Sequence, residues 1–335
     1  MNRLFRWDQM GLFLLALATG ILPFAVPEVC AAALREGLTL CSGPLLLSLF
    51  PFLVVSRLLI QCPESDLLAL PFRLAAWGIG IRTPCAARVL CIGFLGGFAP
   101  AASAAAQAVR TGQLTAEEAD ALLPACICSG PSFVVLTVGQ SLLGSAELGV
   151  LLFASQITAN YLTAALLNRF AGVRSVKPGS AAPAFPAPPR LDEILADAAI
   201  TYCKLCGFIL FFRMLAAGAG ALLPAGAGTL CAVLLEVCSG CDLASRTGRW
   251  GSLLCCAALS VQGLSVLLQV RTICPPEMTL RPLYRARMLH LPLSLALFYL
   301  LLPGGEADVF STLPARVLLM RRVPPDCALL VFAVC

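Results

Sequence analysis

Apolar runs long enough to cross a bilayer recur along most of this chain, broken by short polar knots. The first run covers 10–26, behind Arg3 and Arg6, and the second covers 38–60, near whose end Arg57 stands. Segment 66–82 is amphipathic and suits the membrane interface better than a crossing. Residues 84–109 are apolar again but carry Gly93, Gly96, Gly97 and Pro100, a density that predicts a broken or closely packed helix. Thr115 and Glu118 have capping-box spacing, so a helix starts there and runs into Ser129-Gly130-Pro131-Ser132. After a turn at Gly144 another span covers 147–170.

A Pro-rich stretch, 171–190, reads as an extended cytoplasmic linker. It divides the chain into a first membrane repeat (1–170, with an extra N-terminal span) and a second (191–303), followed by a tail (304–335). The second half has apolar runs at 228–240, 250–270 and 284–302. In the tail, 326–335 is apolar but too short to span, so it is interfacial, packed on the bundle or part of a truncated helix.

The polar knots repeat. Gly130 and Ser132 match Gly263 and Ser265 in Gln262-Gly263-Leu264-Ser265, each pair 133 residues apart. Phe52 and Arg57 are echoed by Phe208 and Arg213, at the same spacing of five. With a cytoplasmic linker, the two Phe/Arg pairs lie in spans of opposite direction, as an inverted repeat requires. The expected fold is therefore an all-α polytopic membrane protein of two inverted repeats with broken or re-entrant helices. Paired breaks of this kind point to a transport site near the midplane.

Composition agrees. The chain has 335 residues, 59% hydrophobic and 12% charged, roughly half the charged share of a soluble domain. The net charge of +5 is spread over loops, which the positive-inside rule explains without a nucleic acid. The leading arginines predict a cytoplasmic N-terminus; a cleaved signal peptide ending near Ala31-Ala32-Ala33 is the competing reading. Seventeen cysteines sit mostly in apolar surroundings and suit helix packing. Cys203/Cys206 and Cys238/Cys241 have ligand-like spacing, but His290 is the only histidine, so no metal and no cofactor is expected.

Candidate chemistry gathers at the knots. Glu236 lies in an apolar run where a carboxylate costs about 2.5 to 3.5 kcal/mol, so it faces a partner or a cavity. Proton carrier, cation ligand, cap for broken backbone and partner of Arg213 are its four readings. Ser260, Gln262, Ser265 and Gln269 can hydrogen-bond a small polar substrate, although serines in spans often bond their own helix. Ser129, Gly130 and Ser132 free backbone groups, and the half-helix after them offers a partial positive charge to a substrate carboxylate. Gln156 and Asn160 share one helix face, which lines the site or joins helices. The substrate-binding set is Ser129, Gly130, Ser132, Glu236, Gly263, Ser265 and Gln269. No P-loop and no GxSxG occurs, so an enzyme is not expected.

The order Gly96-Gly-Phe-Ala-Pro100, Gly112-Gln-Leu-Thr-Ala-Glu-Glu-Ala119, Ser129-Gly-Pro-Ser-Phe133, Leu235-Glu236-x-x-x-Gly240, Gly263-Leu-Ser-Val266 and Arg287-x-x-His290 resembles YlbJ-type sporulation integral membrane proteins, of the nucleoside-recognition gate superfamily. The resemblance covers roughly 34–302. It implies a fold similar to concentrative nucleoside transporters and movement of dipicolinic acid across the outer forespore membrane. Such proteins tend to carry Asn ahead of Ser-Gly-Pro and a Ser-His pair in the next span. This chain has Cys126-Ile-Cys128 and Ser155-Gln156 there, so the binding residues are expected to concentrate around Gly263 rather than Gly130.

The function expected is transport of a small organic anion in a bacterial inner membrane, with the bilayer as the other partner. Self-association into oligomers is compatible with this. A transporter of nucleoside-like solutes and a non-transporting scaffold of the spore envelope are the alternatives.

Overall fold

Glycine and proline set most of the helix boundaries in the computed structural model, which describes residues 7–62, 64–172 and 190–302. Helix α1 (Trp7–Ala25) leads into α2 (Pro27–Ser42), and Gly43 separates α2 from α3 (Pro44–Gln61). The run 38–60, expected as one span, is therefore two helices. Proline tolerates the first helical turn but cannot supply the N–H that would continue the preceding helix. Two short helices follow, α4 (Ser65–Leu68) and α5 (Leu70–Gly78), with Leu67, Leu74 and Trp77 exposed. That is the interfacial pattern read from the sequence.

Next come α6 (Pro84–Gly96) and α7 (Phe98–Arg110), broken at Gly97. They fold back on each other: a Cβ on Gly93 would lie 3.1 Å from that of Ala101, and Arg88 Nη2 donates to Gln113 Oε1 at 2.9 Å. Seven alanines of α7 are fully buried, which lets neighbouring backbones approach closely. The Thr115/Glu118 capping box opens α8 (Ala116–Cys126) as expected. After the break at 127–130 the chain winds as a π-helix (Ser132–Leu142), then turns at Gly144 into α9 (Ala146–Ala171). Gly139 and Gly149 pack backbone on backbone between these two, where a Cβ would come within 2.5 Å.

The second half is α10 (Leu191–Leu222), α11 (Ala225–Leu235), α12 (Val237–Ser245), α13 (Gly251–Val261), α14 (Gly263–Ile273) and α15 (Arg281–Leu301). The pair α11 and α12 is a second folded-back hairpin, with Gly240 against Val233 and Glu236 at its tip. The expected linker lies almost wholly outside the described residues, and the tail from 304 lies entirely outside them.

Helix α10 runs antiparallel to α2 and α3. Arg213 pairs with Glu36 at 2.7 Å, the Tyr202 hydroxyl donates to the Cys41 carbonyl, and Arg57 pairs with Asp197 at 2.7 Å. Phe52/Arg57 and Phe208/Arg213 thus run in opposite directions. All described secondary structure is helical. Among the described residues, four stretches are long and apolar enough to cross a membrane: Pro27–Leu47, Ala146–Ala171, Leu191–Leu222 and Gly248–Ile273. Large apolar side chains such as Phe24, Leu47, Phe170, Leu230 and Leu300 face outward, while glutamines, serines and two arginines, Arg88 and Arg287, are buried. That is the arrangement a bilayer favours, since polar groups in lipid must find partners inside the protein.

Replacing Gly97, whose φ is +80° and whose Cβ would lie 2.6 Å from the Gly130 nitrogen, should destabilise the fold. The expected loss for Gly97→Ala is about 1 to 3 kcal/mol of strain, read as a lower unfolding temperature in detergent. Gly207→Ala, with nothing within 4 Å, should leave that temperature unchanged or slightly higher.

Candidate functional site

Each hairpin tip presses on the break of the helix that follows it. At the first, Gly96 and Gly97 meet Gly130: a Cβ on Gly130 would come within 3.3 Å of the Gly96 carbonyl oxygen. At the second, Gly263 (φ +70°) abuts the tip so closely that a Cβ would lie 2.9 Å from the Glu236 nitrogen and from the Leu235 carbonyl oxygen. Gln262 is also left-handed (φ 62°, ψ −4°), a conformation that costs a side-chain-bearing residue about 1 to 3 kcal/mol. The matched glycines are therefore the points where backbone from two elements touches.

Between the two tips and the two breaks lies a cavity. Its wall includes Gly96, Phe98, Ser129, Gly130, Ser132 and Phe133 from the first half, and Glu236, Val237, Cys238, Val266 and Gln269 from the second. Leu45, Leu49 and Ile209 close it from α3 and α10. It offers about 50 Å³ to the centres of water-sized molecules, enough for a few waters at roughly 10 to 15 Å³ each. An organic solute fits only if a tip or half-helix moves.

Five of the seven residues expected to bind substrate line this cavity: Ser129, Gly130, Ser132, Glu236 and Gln269. Gly263 and Ser265 do not. Gly263 is spent on the hairpin contact, and Ser265, buried behind the wall, accepts a hydrogen bond from Gln269 Nε2 at 2.9 Å. Around Gly263, Glu236 and Gln269 thus line the cavity, while close packing against the tip turns Gly263 and Ser265 away from it. The Gln269 amide oxygen is buried and unpartnered.

Glu236 serves as the N-cap of α12. Its carboxylate accepts from the Cys238 and Ser239 backbone N–H groups at 2.8 and 2.7 Å and from the Ser239 hydroxyl at 2.9 Å. Arg213 is not its ion-pair partner, being bound to Glu36. Of its four readings, capping of broken backbone is the one the geometry displays, on a side chain that also reaches the cavity wall. The other half-helices at the breaks, α7, the π-helix and α14, start without a side-chain cap.

Behind the wall the carbonyl ends of both broken helices converge on Arg287. Its Nη2 donates to the Ile127 carbonyl at 2.6 Å, and Nη1 to the Ser260 carbonyl at 3.4 Å. Ile127 closes α8 and Ser260 is in the last turn of α13, so one guanidinium caps both C-terminal ends. Each such end carries about half a negative charge, and two of them match the single positive charge. Asn160 Nδ2 and Gln262 Nε2 reach the same Ile127 oxygen, each at 3.5 Å. Gln156 joins α9 to α13 through the Cys256 carbonyl (3.2 Å) and the Ser260 hydroxyl (3.0 Å), while His290 bonds the Gln156 carbonyl at 3.2 Å. Gln156 and Asn160 thus join helices and do not line the cavity. Ser260 likewise bonds its own helix, at the Cys256 carbonyl (2.7 Å).

In the sequence Arg287 entered only through the pattern Arg287-x-x-His290. The signal that singles it out is its place six residues inside α15, with no acidic residue anywhere in that helix. Asp120 on α8 holds the entry to the same helix, accepting from the Thr279 and Leu280 backbone N–H groups at 2.8 and 3.1 Å.

Compared with family models, curated proteins and solved structures, the chain matches none.

Arg287→Met keeps much of the volume and removes the shared donor. With two buried carbonyls losing their partner at about 1 to 3 kcal/mol each, the expected loss is about 2 to 5 kcal/mol. Arg287→Lys should recover only part of it, since an ammonium lacks the fork that reaches both carbonyls. Unfolding of the three proteins in one detergent, followed by intrinsic fluorescence, checks the order.

Proposed function

We propose that this chain is a membrane transporter of a small organic anion, bound in the cavity between the two hairpin tips and exposed alternately to each side. The observation that carries the reading is the shared wall: tips and breaks from both halves of the sequence meet around one small space, mostly apolar, with a few polar groups in its wall. The hairpin-and-broken-helix unit occurs twice, and α3 and α10 run antiparallel, which supports two inverted repeats rocking about a fixed site. The uncapped start of the π-helix at Ser132 lies in the wall and suits a carboxylate, with Ser129 and Ser132 as hydroxyl donors and Phe98 and Phe133 against an aromatic body. Dipicolinate is the cargo suggested by the resemblance to YlbJ-type proteins, and a bacterial membrane is the corresponding place.

The test is uptake into proteoliposomes of labelled dipicolinate and, in parallel, a labelled nucleoside. Wild type should accumulate dipicolinate above empty vesicles, and Ser132→Ala, which loses one hydroxyl donor at the wall, should slow uptake roughly three- to tenfold. Uptake of the nucleoside alone would replace the anion with the other cargo. Folded protein that moves neither compound would sink the transport reading for both.

A further inference from the structure

The Phe/Arg echo between the two halves has a counterpart in space. Arg57 pairs with Asp197 and Arg213 with Glu36, each through one N–H at 2.7 Å. In both pairs the guanidinium is sheltered, at 13% and 12% exposure, while the carboxylate is open, at 59% and 65%. The Nε of each arginine is buried and has no partner. A guanidinium can grip a carboxylate with two parallel N–H groups, so each pair makes one contact where two are available. The phenylalanines of the echo sit beside the hairpin tips. A Cβ on Gly96 would lie 3.1 Å from that of Phe52, and Phe208 joins the apolar cluster that takes in Leu235.

The two ion pairs bracket the cavity. Asp197 and Arg213 stand about 24 Å apart along α10, against roughly 30 Å for a hydrocarbon core. Leu45, Leu49 and Ile209, which close the cavity from α3 and α10, lie between the pairs along the helices. Arg213 follows Ile209 by one turn and shares its face, and Cys238 and Glu236 of the wall are near enough to interact with it electrostatically. Arg57 follows Leu49 by two turns, with the fully buried Leu53 between them. Arg110 lies near enough to Arg57 to repel it, which adds a second positive charge at that end.

We propose that Arg57 and Arg213 are carboxylate-recognition sites at the two ends of the cavity, where an incoming anion displaces Asp197 or Glu36 before it enters. This rests on the transporter reading and deepens it, by naming the residues that select for a carboxylate on each side. One carboxylate replaces another, and the one released is already mostly exposed, so the exchange sets a weak pair against a new one. A cargo carboxylate that takes a terminal N–H together with Nε–H also satisfies the donor that the resident pair leaves unmet.

Binding of dipicolinate to detergent-solubilised full-length protein, titrated as stabilisation against thermal unfolding, gives a readout without transport. Removing the competing acid and removing the guanidinium should act in opposite directions. Glu36→Gln and Asp197→Asn should each tighten dipicolinate about two- to fivefold, the worth of the exposed pair that competes with it. Arg213→Gln and Arg57→Gln should each weaken it about three- to tenfold. Pairs that only hold helices together would lower the unfolding temperature in all four variants and leave affinity alone. Unchanged affinity in all four, weaker binding in the acid variants, or no stabilisation of wild type would overturn the proposal. The acid variants decide the matter if an arginine variant does not fold, since their side chains are mostly exposed. The expected binding order without uptake in vesicles leaves the arginine sites standing and removes transport. Uptake by wild type with four unchanged affinities does the reverse.

Discussion

Two helices interrupted inside hydrocarbon leave carbonyl groups that lipid cannot solvate, and the fold depends on one side chain that receives them. Arg287 takes the Ile127 and Ser260 carbonyls together, and Asn160 and Gln262 add bonds to the Ile127 oxygen. Gln262 is itself part of the second break, which thus helps to satisfy the first. Of the two half-helix starts, that of the π-helix at Ser132 reaches the cavity wall, while that of α14 packs against the second hairpin tip.

The hairpin tips complete the arrangement from the other side. Gly97 against Gly130 and Gly263 against Glu236 are backbone contacts too tight for any side chain, which fixes where each tip sits. Glu236 then caps α12 and contributes the one carboxyl group in the cavity wall. Room exists for only a few waters. A larger molecule would need a tip to part from its break, and the glycine contacts, short and without interlocking side chains, are the seams along which that can happen.

Much of this was legible in the sequence because breaks need unusual residues. Gly130, Pro131 and Gly263 announced the interruptions, and the constant spacing of 133 placed them in two halves. Thr115 and Glu118 marked a helix start correctly. Glu236 stood out through its apolar surroundings, but its role as a cap depended on the hairpin, which hydropathy does not distinguish from a spanning pair. Gly43 was missed because one Gly-Pro step inside a long apolar run leaves the hydropathy unchanged. The role of Arg287 was not legible because only the three-dimensional meeting of two carbonyl ends gives it a partner. Residues around Gly263 were favoured over those around Gly130 on side-chain polarity alone. Facing is decided instead by which backbone packs against the tip.

Backbone hydrogen exchange at the two breaks of Arg287→Lys, against wild type in the same detergent, tests the central claim most directly. If one guanidinium joins both interruptions, residues 127–131 and 260–264 should exchange faster together, roughly tenfold or more for a loss of about 1.4 kcal/mol at each carbonyl. Acceleration confined to one break, or to neither, would contradict the account.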